Sequence, residues 1–382
     1  MKKKITILAL HLGYGGVEKS ICALANLLAS NENYKVKIVS IYKLYDSSVF
    51  KVDERVEIKY LLDSSMSPNR KEWKSALHNF KIVSFVKESI KGVKILNKRR
   101  SEVINYLKNS DDDVVIATRI FLNELLGEYG NSAMIKIGWE HNHYHNNMKY
   151  ATDVVRASKN LDYLVLVSKS LHKFYRKQMR SYKTKCVYIP NVIEKMPRTK
   201  SPLTGERLIT VGRLAPEKGY FDLLVLYNDL KKNGCTWKLD IVGDGVEREK
   251  LENYIKRNNL SDDVILHGFK NSNEIEKLMH KASIYIMTSY TESFGIVLLE
   301  AMSNGLPCLA FDSAEGAREI ITSGRDGYLI RNRNFKAMEK KVFDLIKNPK
   351  KLHELGANGR CKVKAYLPDV IRSSWEKIIE KK

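Results

Sequence analysis

Short apolar runs rich in β-branched residues alternate along the whole chain with longer amphipathic segments. The runs are ITILAL, VKIVSIY, DVVIATR, IKIGWE, YLVLVS and CVYIP in the first half, and RLITVGR, WKLDIVG, VILHGF, IYIMTS and PCLAF in the second. They are apolar throughout, as in strands that are buried on both faces of a sheet. Helical patterns lie between them, for example at 17–30 and 219–233. The alternation predicts an α/β fold with two parallel sheets and right-handed crossovers.

One segment, IPNVIEKMPRTKSPLTGE, interrupts both periodicities and contains three prolines. Proline-rich, charged stretches of this kind are typical of linkers between domains. The segment divides the chain into domains at 1–195 and 196–366, which agrees with a length of 382 residues, too long for one ordinary core. Beyond Pro368 apolar residues recur at helical spacing. They predict an amphipathic C-terminal helix within 367–382 that docks on a core.

Candidate chemistry begins with the glycine-rich segment GYGGVE, directly after the first predicted strand. In parallel sheets, ligands bind beyond the carboxyl ends of strands, where the next helices begin. Gly15 and Gly16 would let backbone amides approach a ligand there, and the helix dipole would favour an anion. The segment lacks GxGxxG spacing, so a tight strand–helix turn without a ligand is an equal alternative.

Two basic residues follow the first strand of the second half, in GRLAPEKG. Arg213 offers a planar fork that suits bidentate phosphate binding, and Lys218 offers a point charge. Because they flank Pro216 in a short loop at a strand end, we predict that both bind one diphosphate. The alternative is a pair of solvated surface charges.

The segment ESFGIVLLE follows the strand IYIMTS and carries a carboxylate at each end. Glu292 falls in the loop before a helix, and Glu300 falls about two turns later. Carboxylates only accept hydrogen bonds, so each could bind hydroxyls at one end of an elongated ligand. In the alternative interpretation Glu292 caps the helix and Glu300 belongs to a buried ion pair.

These segments, together with IVGDG, resemble glycosyltransferase family 4, which has the GT-B fold. The resemblance covers nearly the whole chain and is most specific at 205–330. It implies two Rossmann-like domains that face each other across a donor cleft. It also implies that the first domain binds the acceptor, that the second binds a nucleotide-sugar, and that the final helix returns to the first domain. The implied reaction retains the anomeric configuration and forms an α-linkage.

The resemblance also implies roles for single residues. Arg213 and Lys218 would bind the diphosphate, Glu300 the ribose, and Glu292 and His141 the transferred sugar. The catalytic residues implied in this way are His141, Arg213, Lys218 and Glu292. The donor-binding residues implied are Gly15, Gly16, Gly243, Gly268, Phe269, Phe294, Gly295 and Glu300.

Breaking a glycosyl–phosphate bond leaves an anionic diphosphate, which Arg213 and Lys218 can stabilise without a metal. We therefore expect a hexosyl- or N-acetylhexosaminyl-transferase with no metal and no cofactor. The expected substrates are a nucleotide-sugar, with UDP favoured by the resemblance, and a glycan or lipid-linked acceptor of cell-surface polysaccharide assembly. Which carboxylate, if any, contacts the anomeric carbon stays open.

Two segments suggest metal sites as alternatives. His141, His143 and His145 alternate, and alternate residues of an extended chain share one face. Asp111, Asp112 and Asp113 resemble the acidic metal-binding motif of a different transferase fold, but their place just before a strand favours a solvated turn.

The formal net charge of +22 implies an anionic partner: a nucleic acid, a membrane surface or phosphorylated substrates. No nucleic-acid-binding module appears, so we expect no nucleic acid. A nicotinamide-linked oxidoreductase would need the missing GxGxxG, whereas an epimerase or a phosphorylase of the same fold stays an alternative. Five scattered cysteines indicate free thiols and a cytoplasmic protein. The apolar start stops at His11, which is too early for a signal peptide.

A basic segment at 70–100 suggests a role for the net positive charge. Its basic residues are Arg70, Lys71, Lys74, Lys81, Lys87, Lys91, Lys94, Lys98, Arg99 and Arg100, and only Glu72 and Glu88 oppose them. Apolar residues at helical spacing form one stripe, at Ile82, Val86, Ile90, Val93 and Leu96, and lysines form a second. The pattern predicts a helix on an anionic membrane at the inner face of the cell membrane. A core-facing helix with a solvated basic side is the alternative.

Overall fold

The computed structural model describes residues 2–381, apart from the side chains of Arg70 and Lys71. The side chains of those two residues of the predicted basic segment therefore lie outside what can be described. The chain forms two compact units. The first consists of residues 1–192 and 372–382, and the second of residues 193–371.

The first unit contains one parallel sheet with helices between its strands. Its strands are β1 (Lys3–Ala9), β2 (Tyr34–Tyr42), β3 (Glu57–Leu62), β4 (Val114–Ala117), β5 (Ile135–Glu140), β6 (Tyr163–Leu166) and β7 (Lys185–Tyr188). Its helices are α1 (Gly16–Ala29), α2 (Arg70–His78), α3 (Ile82–Asn109), α4 (Ile120–Tyr129), α5 (Met148–Ser158) and α6 (Lys169–Gln178). The strand order is β3-β2-β1-β4-β5-β6-β7, and every pair is parallel.

The second unit repeats this architecture with a smaller parallel sheet. Its strands are β8 (Arg207–Val211), β9 (Lys238–Val242), β10 (Val264–Leu266), β11 (Ile284–Met287), β12 (Cys308–Phe311) and β13 (Gly327–Ile330). Its helices are α7 (Tyr220–Lys232), α8 (Arg248–Arg257), α9 (Ser272–Lys281), α10 (Ile296–Ser303), α11 (Glu315–Ile320), α12 (Phe335–Ile346) and α13 (Pro349–Val363), followed by α14 (Pro368–Ile379). The strand order is β10-β9-β8-β11-β12-β13.

All eleven predicted strands are present, and the two that the apolar pattern missed lie at sheet edges. β4, β6, β11 and β12 are buried at every position, which is why their runs are uniformly apolar. β3 lies at an edge and has only its last residue fully buried. β13 lies at the edge of the second sheet and begins with Gly327. Edge strands bury less surface, so their sequences carry a weaker apolar signal.

The C-terminal helix α14 is amphipathic, as predicted, and its end packs within the first unit. Trp375 is buried, and its ring centroid lies 5.2 Å from that of Trp139 in β5. At the helix surface the Asn31 amide donates to Glu376 over 2.9 Å, and the Tyr34 hydroxyl donates to Glu380 over 2.6 Å. Apolar burial and peripheral hydrogen bonds together join this helix to the first sheet.

The lysine-led N-terminus forms β1, and all five cysteines are free. Among the described residues, no helix is long and apolar enough to cross a membrane. In the acidic triplet Asp111 and Asp113 are exposed, as expected for a solvated turn, but Asp112 is buried and accepts a hydrogen bond of 2.6 Å from Tyr106. The triplet lies at the amino end of β4, the end opposite to that where ligands bind in such sheets.

Candidate functional site

Three loops meet at the carboxyl ends of β8, β9 and β10, and glycines let their backbones touch. The Gly212 amide donates to Val242 and the Gly243 amide donates to Gly268, each over 2.9 Å. A Cβ atom at Gly243 would overlap the Gly212 carbonyl, and the φ of 139° at Gly243 disfavours other residues. Gly268 also has a positive φ, 68°. Two of the predicted donor-binding residues, Gly243 and Gly268, are thus in direct contact.

The loop after β8 folds back onto the end of β11. It forms a single 3₁₀ turn at Pro216–Lys218, and Gly219 follows in the left-handed region with φ 65°. A Cβ atom at Gly219 would overlap the Thr288 carbonyl, and the Thr288 hydroxyl donates to the Gly219 carbonyl over 2.9 Å. The Tyr290 amide donates to the Glu217 carbonyl over 2.9 Å. The loop that carries Arg213 and Lys218 is therefore held by the loop that carries Glu292.

Within this framework Lys218 forms an ion pair with Glu292, and both side chains are mostly buried. Arg213 instead pairs with Glu217 over 2.7 Å, and its side chain is 72% exposed. The structure brings two predicted catalytic residues into contact, although they are 74 positions apart in the sequence. Arg213 has a separate carboxylate partner, so Arg213 and Lys218 do not share one in this state.

The loop from Glu292 to Gly295 is fixed at its base by a second close backbone contact. The Gly316 amide donates to the Glu292 carbonyl over 2.6 Å, and a Cβ atom at Gly316 would overlap the carbonyl of Phe294. Gly295 has φ 82° and precedes α10 as its N-cap residue, so Glu292 is not the cap. The α10 terminus has no side-chain cap among the described residues. Its amides and the helix dipole can therefore favour an anion beside Glu292.

The remaining predicted residues of the second unit differ in exposure. The Phe294 side chain is buried near Tyr366, with ring centroids 6.1 Å apart, so only its backbone can meet a ligand. Phe269 follows β10 and is 50% exposed. Glu300 lies further along α10 and is partly exposed.

The sequence analysis did not identify Arg333, which contacts the loop after β11 and the helix that follows the loop after β8. Its guanidinium donates to the carbonyls of Thr288 and Ser289, over 3.0 and 3.2 Å, and pairs with Asp222. It also lies 3.8 Å from the ring centroid of Tyr290. Its partners are 44, 45 and 111 positions away in the chain, so no local pattern could have identified it.

In the first unit the glycine segment precedes α1 and lies beside a buried ion pair. A Cβ atom at Gly15 would meet only the end of the Glu18 side chain, and one at Gly16 would meet nothing within 4 Å. Glu18 is buried and pairs with Arg119 over 2.6 Å. The sequence analysis did not identify Arg119, although it is the last residue of the predicted strand DVVIATR and so lies at the end of a strand where ligands bind.

His141 follows β5 and is buried. Its ring centroid lies 4.2 Å from that of Trp139, and its Nε2 has no hydrogen-bond partner among the described residues. Burial, and next the positive charge of Arg119, hold the pKa of His141 well below its usual value. Burial also raises the pKa of the adjacent Glu140, although the Asn142 amide and the Tyr150 hydroxyl donate to it.

The interpretation of the three alternating histidines as one face of an extended chain is wrong. His145 and Asn146 have positive φ values of 45° and 60°, so the segment turns instead of extending. The His143 and His145 rings lie 5.0 Å apart, and the His145 amide donates to Nδ1 of His143 over 3.0 Å. That hydrogen bond occupies one of the two ring nitrogens through which His143 could bind a metal.

The predicted site residues thus fall into two groups, one in each unit. Gly15, Gly16 and His141 lie at the carboxyl ends of β1 and β5 in the first unit. The second unit holds Arg213, Lys218, Gly243, Gly268, Phe269, Glu292, Phe294, Gly295 and Glu300. Except for Glu300, which lies within α10, each of them follows a parallel strand or begins the next helix, where ligands bind in this class of sheet.

Comparisons with known proteins show which sequences and structures this chain is similar to. Residues 191–362 match the family described as Glycosyl transferases group 1. An uncharacterized glycosyltransferase of Haemophilus influenzae is 26% identical over 382 residues, which cover 99% of this chain and all of that protein. An exopolysaccharide phosphotransferase of Streptomyces coelicolor is 26% identical over 371 residues, 95% of this chain, but the chain spans only 39% of that protein's length.

A solved structure of similar fold is that of S. aureus TarM, determined as a variant in complex with Fondaparinux, alpha-GlcNAc-glycerol and UDP. The TM-score is 0.79 at 16% sequence identity, over 99% of this chain and all of the other. Two parallel-sheet Rossmann-like units and this neighbour confirm the GT-B fold. The chain is therefore a GT-B protein whose sequence is similar to glycosyltransferases along nearly its whole length.

Proposed function

We propose that this protein is a retaining glycosyltransferase of family 4 that moves a hexosyl or N-acetylhexosaminyl group from a nucleotide-diphosphate donor to a glycan or lipid-linked acceptor. The observation that carries the proposal is the Lys218–Glu292 ion pair between the loops after β8 and β11. A cation for the diphosphate and an acceptor of hydroxyl hydrogen bonds for the sugar are thus adjacent, as the two halves of a sugar–diphosphate are.

Donor binding would exchange partners within this pair. The diphosphate carries more negative charge than one carboxylate, so Lys218 would turn to it and release Glu292 to the sugar hydroxyls. Arg213 would leave its exposed contact with Glu217 at small cost, because exposed ion pairs contribute only about 0–1 kcal/mol. The backbone contacts at Gly219 and Gly316 would keep both loops in place during the exchange.

In the proposed reaction the bond between the anomeric carbon and the diphosphate oxygen breaks, and a bond from an acceptor oxygen to that carbon forms on the same face. The acceptor proton passes to the departing phosphate. Arg213, Lys218 and the amides at the start of α10 stabilise the negative charge that develops on the leaving group. His141 is held neutral by its low pKa, so we propose that it contacts the transferred sugar as an uncharged hydrogen-bonding group.

We propose UDP as the nucleotide, a choice that the UDP complex of the structural neighbour TarM supports. Its alpha-GlcNAc-glycerol ligand likewise supports a sugar-containing acceptor. Phe269, half-exposed beside Gly268, would lie next to the base, and Glu300 would bind the ribose. The five free cysteines favour a reducing compartment, so we place the reaction in the cytoplasm.

The experiment that tests the proposal is a thermal-shift panel of UDP-, GDP- and ADP-sugars, followed by product analysis. We expect UDP-sugars to raise the melting temperature, and mass spectrometry and NMR to identify an α-linked product with an acceptor glycan. Lys218→Met should abolish the shift, while Lys256→Met, on the second unit's α8, should leave it unchanged. Release of an isomerised nucleotide-sugar, or of a sugar phosphate, would instead identify an epimerase or a phosphorylase.

The reaction should need no divalent cation, because Arg213 and Lys218 supply the charge that a metal would otherwise bring to the diphosphate. Transfer in excess EDTA should run at the rate seen with added Mg²⁺ or Mn²⁺. Complete loss of transfer, with recovery on adding Mn²⁺ or Zn²⁺, would contradict this and direct attention to His143 and His145.

A further inference from the structure

The helices α2 and α3 form a pair whose inner face is defined by specific contacts. The Trp73 indole donates to the Ser89 hydroxyl over 3.0 Å, and its ring lies 5.2 Å from that of Phe85. The Asn69 amide donates to the Glu88 carbonyl over 2.7 Å, and Ile95 is buried. The side of α3 that carries Phe85, Glu88 and Ile95 therefore faces the protein.

The apolar stripe predicted on α3 lies on another side and faces solvent. The residues of this surface, which we call the α2–α3 apolar face, are all between 49% and 91% exposed. They are Leu77, Phe80, Ile82, Val83, Val86, Ile90, Val93 and Leu96. Single exposed apolar residues are ordinary, but a contiguous apolar patch indicates a surface that something else covers. The interpretation of these residues as core is therefore wrong.

The turn between the two helices holds an aromatic ring outward. Phe80 is 91% exposed and has φ 52°, a backbone conformation that a bulky residue adopts only at a cost. Ile82 and Val83, which follow it, are among the most exposed residues of the same face. The tip of the helix pair is thus its most apolar and most accessible part.

A lysine stripe borders the apolar face on α3. Lys87, Lys91 and Lys94 are exposed, and within the described part of the chain none of them has an ion-pair partner. Lys98 continues the stripe and pairs with Glu102 over 2.7 Å. Of the two acidic residues in 70–100, Glu88 accepts a hydrogen bond from Asn69 on the inner face, so the stripe is not neutralised locally.

We propose that the α2–α3 apolar face and its lysine stripe bind the surface of a lipid bilayer that carries anionic headgroups. Apolar side chains beside a row of lysines match the acyl boundary and the headgroups of such a surface. A second copy of the chain fits less well, because a symmetric contact between two such faces would bring lysine stripes of like charge together. This inference goes beyond glycosyl transfer, and its test needs no donor or turnover.

The test is flotation of the purified protein with vesicles of phosphatidylcholine alone or with 30% phosphatidylglycerol. The protein should float with the anionic vesicles, remain in solution with the neutral ones, and be released when salt screens the lysines. Each lysine near such a surface contributes about a five-fold change in affinity. The triple variant Lys87→Glu, Lys91→Glu and Lys94→Glu should therefore weaken binding by more than about 100-fold.

Two further variants separate this surface from general charge and from the apolar contact. Lys173→Glu, Arg176→Glu and Lys177→Glu on α6 change the net charge equally and should leave binding within about two-fold. Val86→Ser, Ile90→Ser and Val93→Ser keep every lysine but should weaken binding at least about ten-fold, because the apolar insertion is lost. Unchanged circular dichroism would show that each variant folds.

Three outcomes would overturn the proposal. One is equal flotation with both vesicle types, and another is no flotation with either. The third is an equal loss of binding for the α3 and α6 charge variants, which would assign the effect to net charge alone. The wild-type chain could instead fail to bind vesicles and sediment as an oligomer, while the serine variant sediments as a monomer. That result would show that the apolar face joins copies of this chain.

Discussion

Glycines at the ligand-binding ends of the two sheets have different structural roles. In the second unit, a Cβ atom at Gly219, Gly243 or Gly316 would overlap a backbone carbonyl of another loop. In the first unit, one at Gly15 would meet the carboxylate of Glu18 but no backbone atom within 4 Å, and one at Gly16 would meet nothing within 4 Å. The same class of sheet thus carries backbone-locked loops in one unit and an open glycine turn in the other.

The difference affects how each unit can bind a ligand at the carboxyl ends of its strands. Loops that are locked by backbone contacts keep their amides and charges in one geometry, which favours recognition of an invariant group such as a diphosphate. An open glycine turn leaves space beside the backbone, where a ligand or a moving side chain can enter. We therefore expect substitutions of these glycines to affect folding in the second unit and ligand binding in the first.

The largest effect should come from paired glycine substitutions. Gly243→Ala should lower the free energy of unfolding by about 4 kcal/mol, because φ 139° and the Gly212 carbonyl leave no room for a methyl group. Gly16→Ala should leave stability unchanged or raise it by up to about 1 kcal/mol, since alanine favours the helix. Urea unfolding measures both, and equal losses would remove the contrast between the two units.

The two carboxylates that we propose bind the donor, Glu292 and Glu300, should then differ from each other. Glu292→Gln should lower kcat by about 100- to 1,000-fold, because the contact that we propose for it is nearest the reacting sugar and would serve the transition state. Glu300→Gln should mainly raise the donor KM. Steady-state kinetics at saturating acceptor separate the two, with thermal melting as the folding control. Wild-type kinetics for both variants would contradict the site assignment.

A smaller effect should follow from removing the arginine that supports the locked loops. Arg333→Ala should cost about 2 kcal/mol of stability, because the Thr288 and Ser289 carbonyls lose their donor and Asp222 loses its partner. Arg100→Ala is the matched control in the first unit, since its contact with Glu128 is half-exposed and 3.9 Å long. It should cost less than about 0.5 kcal/mol. A donor KM that rises only for Arg333→Ala would support a positioning role.

The smallest effect concerns His141 and appears only as pH changes. Its pKa in the folded protein is well below that of a free imidazole, about 6.5. Above about pH 6.5, His141 is neutral in both the folded and the unfolded protein. As pH falls below it, the unfolded chain gains a proton that the folded chain refuses, so stability falls by at most about 1.4 kcal/mol per pH unit. His11, whose pKa burial also lowers, adds in the same direction.

Urea unfolding between pH 7.5 and 5.5 measures this slope. His141→Asn should reduce it and leave the part due to His11, while an exposed control, His353→Asn on α13, should not change it. An identical slope in all three proteins would show that His141 is protonated in the folded state.

The order of the elements was determined by the sequence alone, because strands buried on both faces must be apolar at every position. The same reasoning found the loops with Lys218, Glu292 and Gly295, since ligands bind where such strands end. The apolar pattern did not predict β3 and β13, because both lie at sheet edges, where fewer positions need to be apolar.

Contacts between distant parts of the chain were decided by the tertiary structure. Only the fold shows that Lys218 meets Glu292, that Arg333 supports both loops, and that Arg119 pairs with Glu18. The apolar stripe of α3 is the clearest case, because its spacing was equally consistent with a core-facing helix. Whether such a stripe is buried depends on which elements pack against it, and that is a property of the folded chain and not of the local sequence.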